Sequence, residues 1–110
     1  MISLALASML VLAQADAGLS QARRAYGDCL NRAVRSHLDS KTSPSTFDRA
    51  LACGCAAKAA AYRSAIMASE KAAGTSAAEA EELAGMDIED LETNTKDLYR
   101  LHMEQGTRPE

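Results

Sequence analysis

Three cysteines constrain this chain more than any other feature: Cys29 stands alone, and Cys53 and Cys55 flank a glycine in the stretch LACGCAAK, residues 51–58. A structural zinc site ordinarily shows Cys-x-x-Cys or His-x-x-x-His spacing, and neither occurs. A dithiol redox enzyme needs Cys-x-x-Cys at a helix amino terminus on a strand-containing fold, which is also absent. The spacing therefore points to a structural crosslink, and the fold must bring Cys29 to one member of the pair.

The material around the cysteines is thin. Beyond residue 15 only 18 residues are large and apolar, and alanine makes up much of the rest. Alanine is the best helix former but buries little area, so helices form readily around a sparse core. A chain of this size needs a staple or a partner. Strand signal is almost missing, with one valine (Val34) and two isoleucines (Ile66, Ile88) after the opening segment and no alternating runs. The expected fold is all-α: a helical hairpin or three- to four-helix bundle, disulfide-stapled, after an N-terminal signal peptide.

The first helix is predicted over Ser20 to Leu38, where Leu19, Ala22, Tyr26, Leu30, Ala33 and His37 recur at steps of three or four. Ser40 to Pro44 breaks it, because proline cannot continue the ladder and disfavours helix in the residue before it. Ser45 with Asp48 reads as a capping box for a second helix running unbroken to about Ala73, some 43 Å long at 1.5 Å per residue, ended by Gly74. Ser76 with Glu79 reads as another capping box. Gly85 is expected to interrupt that element, with Asp87 and Asp90 capping a last helix to about Gln105 whose stripe is Ile88, Leu91, Leu98 and Leu101. No internal repeat is evident.

In a hairpin whose turn is centred near residue 42, Cys29 lies at the height of residue 55. Residues two apart on a helix point about 200° away from each other, so only one of Cys53 and Cys55 can bond Cys29. Cys55 shares a face with Leu51, Tyr62 and Ile66, which predicts the pair Cys29–Cys55 and leaves Cys53 as an odd thiol. Gly54 in the second helix, at the height of Gly27 in the first, reads as a place where two backbones come close enough to crosslink.

The opening run Ile2 to Ala13 is almost wholly apolar and is followed by small residues at alternate positions, the layout of a secretory signal peptide. Cleavage after Ala15 is preferred to cleavage after Ala17, although the usual leading positive charge is missing and the first basic residue is Arg23. A start assigned too far downstream would account for that gap; an uncleaved anchor or a buried amino-terminal helix is the competing reading. Twelve apolar residues fall short of the roughly 20 that span a bilayer. The expected organisation is residues 1–15 as signal peptide, 16–105 as a single helical domain and 106–110 as a frayed tail. The expected location is periplasmic or secreted, where disulfides persist.

Charge divides along the chain. Residues 16–71 carry nine basic and five acidic groups, and residues 72–110 carry three and ten. From Glu79 to Glu92 there are seven acids and no base. This predicts an acidic last helix packed on a basic hairpin with its charges solvated, or a segment that docks a basic partner or cations. EF-hand spacing is absent, and a chain this acidic and poor in aromatics is not expected to bind nucleic acid.

No nucleophile elbow, triad, phosphate loop or dinucleotide glycine pattern is present. No enzymatic activity and no cofactor are expected. What remains is a binding or structural interaction module with an unknown protein partner or with itself, an interchain bond through Cys53 being one route, and with no membrane contact once the leader is removed. The alternative is handling of a soft metal, copper or zinc, through Cys53 and Cys55 with Cys29 or His37. That set requires the helix to unwind around Gly54.

Overall fold

The computed structural model describes the backbone from Ile2 to Glu110 and the side chains from Gln14 onward. Four helices follow in order: α1 (Ile2–Asp39), α2 (Pro44–Gly54), α3 (Ala56–Ala72) and α4 (Ala77–Gln105). The long axis measures 61 Å, close to the roughly 57 Å that a helix of α1's length spans. Leu19 is the first described side chain of α1 to pack against the core. The predicted leader, residues 1–15, lies almost wholly outside the described side chains; its backbone from Ile2 is continuous with α1, which therefore begins well before Ser20.

Three helix ends share one construction. At the end of α1 the Thr42 amide donates to the His37 carbonyl and the Lys41 amide to that of Leu38. At the end of α3, Thr75 donates to Glu70 and Gly74 to Lys71; at the end of α4, Thr107 donates to His102. Lys41, Gly74 and Gly106 take the positive φ that this helix stop requires. In each stop the threonine hydroxyl also bonds the side chain five residues earlier: Thr42 with His37 (3.0 Å), Thr75 with Glu70 (2.7 Å) and Thr107 with His102 (2.7 Å). A short signature, His-x-x-x-x-Thr-x-Pro, thus occurs twice, at residues 37–44 and 102–109.

The next helix starts at once. Ser43, not Ser45, caps α2, accepting from the Thr46 amide with Pro44 in the first turn. Ser76 caps α4 by accepting from Glu79, as the sequence predicts.

Two further predicted boundaries are wrong. The long second helix lapses at Cys55, giving α2 and α3. Gly85 does not interrupt α4, which runs 29 residues without a break. Glycine costs about 1 kcal/mol in a helix, but Ala84 and Ile88 on either side of it are buried, and that packing holds the segment helical. The apolar stripe of α4 is shifted accordingly. Tyr99, eleven residues beyond Ile88, returns to the same face, whereas Leu101, thirteen beyond, points some 220° away; Tyr99 is fully buried and Leu98 and Leu101 are exposed.

The core is one cluster: Tyr26, Leu30 and Val34 from α1, Phe47 and Leu51 from α2, Cys55 at the junction, Tyr62 and Ile66 from α3, and Ala84, Ile88 and Tyr99 from α4. Phe47 and Tyr99 stack with centroids 3.9 Å apart, His37 meets Phe47 edge-on, and Tyr26 lies 5.9 Å from Tyr62. Among the described residues no charged side chain is buried.

Candidate functional site

The chemistry-bearing residues gather where α2 gives way to α3. Cys29 of α1 and Cys55 form the disulfide, with Cα atoms 6.0 Å apart. Cys55 is buried among Leu51, Tyr62 and their neighbours, whereas Cys53 is a free, exposed thiol. The two cysteines of the pair therefore have opposite environments, as their angular separation on a helix dictates.

Cys55 closes α2 and opens α3 with φ −111° and ψ 11°, outside the helical range. Its amide still donates to Leu51 and its carbonyl still accepts from Ala59. Residues 52–54 and 56–58 on either side of it are exposed. Gly54 immediately precedes this lapse. A Cβ built on Gly54 or on Gly27 would meet nothing within 4 Å, so the expected close approach of backbones is not the reason for either glycine. The Cys29 sulfur does come within 3.8 Å of the Gly54 carbonyl oxygen; a disulfide sulfur carries no proton, so this is a packing contact. The bridge opens onto a surface hollow of about 370 Å³ whose lining includes Cys29, Arg32, Ser36, His37, Gly54 and Cys55.

The soft-metal set fares poorly on this geometry. Cys29 and Cys55 are bonded to each other, Cys53 faces solvent, and His37 is engaged with Thr42. Among the described residues no three His, Cys, Asp or Glu side chains are grouped to hold an ion.

The acidic segment is docked. Ala80, Ala84 and Ile88 are buried against the bundle, while Glu79, Glu81, Glu82, Glu89 and Asp90 are exposed. Two of its acids take tyrosine hydroxyls instead of basic partners: Tyr62 donates to Asp87, and Tyr26 donates to Glu92 at 3.4 Å. Burial, then the charge of Glu92 and the bond to it, push Tyr26 up to about 12. Burial, then the bond to Asp87 and its charge, push Tyr62 up to about 12, with Arg23 opposing. Burial also raises Tyr99, against the bond to Thr42.

The ion pairs run against the bulk charge asymmetry. Arg100 of α4 pairs with Asp48 of α2 at 2.7 Å, and Arg108 pairs with Asp39 of α1 at 3.0 Å. Two of the three bases of the acidic half, Arg100 and Arg108, thus meet acids of the basic half. Arg108 and the Arg35 contact with the Glu110 carbonyl lay the tail along α1. The adjoining ends of α1 and α4 frame a second hollow, of about 350 Å³, between Leu38, Lys41, His102 and Met103.

On its outer side α4 exposes Leu83, Met86, Leu98 and Leu101. Met86, two residues from both Ala84 and Ile88, points directly away from the core and is 56% exposed. Among the described residues no helix is long and apolar enough to cross a membrane. No family model matches the chain, and no curated protein or solved structure matches it either.

Proposed function

We propose that this chain is a small exported protein, periplasmic or secreted, that works as a binding or structural interaction module and not as an enzyme. The observation that carries the reading is the Cys29–Cys55 bond joining α1 to the α2–α3 junction, a crosslink of the kind that persists outside the reducing cytosol. The apolar run Ile2 to Ala13 supports export as a leader. The described core begins at Leu19.

The outer face of α4 supports the interaction reading. Leu83 and Met86 are exposed among Glu79, Glu82, Glu89 and Asp90, and an apolar pair within an acidic surface fits a protein partner or a second copy. For a second copy, the exposed Cys53 offers an interchain bond.

Two measurements test the reading. Mass spectrometry of the product recovered from cells under non-reducing conditions is expected to show a chain starting at Asp16 with one internal disulfide; a full-length cytosolic product with three free thiols overturns export. Sedimentation over a wide concentration range, with and without reductant, is expected to show association that Leu83→Glu with Met86→Glu weakens. If the double variant leaves association unchanged, α4 is not the surface.

A further inference from the structure

The four large apolar side chains that stand exposed among the described residues all belong to α4: Leu83, Met86, Leu98 and Leu101. They are spaced evenly about Glu92, with Leu83 and Leu101 nine residues to either side and Met86 and Leu98 six. Leu83 and Leu101 are therefore about five helical turns apart and fall on one line along the helix, about 27 Å from each other. Met86 lies about 60° to one side of that line and Leu98 about 60° to the other. The apolar stripe reads the same from either end.

We propose that this face of α4 docks on the same face of a second copy, the two helices running antiparallel about a two-fold axis at the height of Glu92. The inference rests on the interaction role proposed above and names its partner. Pairing about a two-fold axis brings each residue to the height of its mirror position in the other chain. Leu83 then meets Leu101 of the second copy, twice over, while Met86 and Leu98 cover the seam from its two sides at one height. Between these apolar ends Asp90 meets Asn94, a carboxylate beside an amide donor. A partner of any other kind gives no reason for the even spacing.

Charge selects the antiparallel arrangement. From Glu79 to Glu92 the helix carries seven acids and no base, whereas from residue 93 to 105 Lys96 and Arg100 balance Asp97 and Glu104. Parallel docking would lay the acidic half of one copy along the acidic half of the other. Antiparallel docking lays it along the half that holds the bases, which lowers the repulsion and fixes the direction. A like-charge layer remains, Asp87 against Asp97. Each is already engaged in its own chain, Asp87 by the Tyr62 hydroxyl and Asp97 by Arg100 at 4.0 Å.

Crosslinking reads the direction. In a Cys53→Ser background Cys29 and Cys55 stay bridged, so Leu83→Cys and Leu101→Cys each carry one free thiol. The two variants of the full chain are treated, alone and mixed, with a bismaleimide that spans the roughly 8 to 10 Å between packed helices. The expected result is a dimer from the mixture, linked from position 83 of one chain to position 101 of the other. Almost none is expected from either variant alone, because like positions stand about 27 Å apart along the pair. Since every contact occurs twice, Leu83→Glu by itself is expected to weaken self-association by about tenfold or more. Dimers linked within each variant alone, with no mixed product, overturn the antiparallel register. A monomer at every concentration in sedimentation overturns self-docking and leaves the interaction role to a different partner. Self-association undiminished by Leu83→Glu overturns this face and leaves the role itself intact.

Discussion

Tyr99 closes the carboxyl end of α1 from the side: its hydroxyl donates to the Thr42 carbonyl and, at 3.2 Å, to that of His37. These oxygens belong to the turn between α1 and α2, and Tyr99 reaches them while its ring stacks on Phe47. Tyr99→Phe keeps the stack and removes the donor, leaving buried carbonyl capacity unmet. The expected cost is about 1 to 3 kcal/mol, read as a lower urea midpoint at unchanged slope. Tyr99→Ala loses the ring as well and is expected to cost about 3 to 5 kcal/mol.

Lys41 occupies a left-handed position, φ 54°, where the helix stops at Gly74 and Gly106 have glycine. A Cβ is penalised there. Lys41→Gly is expected to stabilise the fold by about 0.5 to 1 kcal/mol despite its greater unfolded-chain entropy. On a domain of this size that raises the thermal midpoint by a few degrees, measurable by circular dichroism.

The Cys29–Cys55 bridge spans a sequence separation of 26, for which loop-closure entropy gives about 3 to 4 kcal/mol. Replacing both cysteines with alanine is expected to remove most of that. Cys53→Ser, at an exposed position, is expected to shift stability by no more than about 0.5 kcal/mol. Denaturant titration of the two variants side by side separates the structural sulfur from the free one.

The tyrosines set an alkaline limit. Tyr26 and Tyr62 are pushed from 10.0 up to about 12 in the folded chain. A raised value means that the folded state holds its phenolic protons more tightly than the unfolded state does. The resulting stability is complete below about pH 10 and is lost as pH rises from about 10 through about 12. Measured on Cys53→Ser, which removes the free thiol, stability is expected to be flat from neutrality to about pH 9.5 and to fall steeply above it. Tyrosinate absorbance is expected to appear together with unfolding; ionisation at the ordinary phenol value in a still-folded chain would contradict the seam described for these residues.

The helical class and the sulfur pairing were legible in the sequence for one reason: the 3.6-residue period fixes both height and direction, and each places Cys55 opposite Cys29. The Ser76 cap was legible because serine with glutamate three residues later has few other uses. The break at Cys55 was not. Leu51, Cys55, Tyr62 and Ile66 keep helical spacing through it, and the surrounding alanines have the highest helix propensity, so no local signal marks a gap that tertiary structure imposes. Gly85 misled in the opposite direction, because burial of Ala84 and Ile88 outweighs the cost of one glycine. The end of α1 lacks the glycine that announces such stops and puts Lys41 in its place. The threonine signature emerges only when His37, Glu70 and His102 are seen bonded to residues five further on. The hydroxyl partners of the tyrosines lie 25 to 66 residues away in sequence, a distance that no periodicity encodes.

Each tyrosine hydroxyl crosses a boundary of α4: Tyr26 from α1, Tyr62 from α3, and Tyr99 outward to the α1–α2 turn. The chain contains no tryptophan and has only these three tyrosines. Its near-ultraviolet absorption and emission therefore come chiefly from phenol rings whose oxygens touch the seams of one helix. Detachment of α4, the helix that no sulfur bond retains, would change every one of those rings at once, so the protein carries an optical gauge of its own last helix with no dye attached.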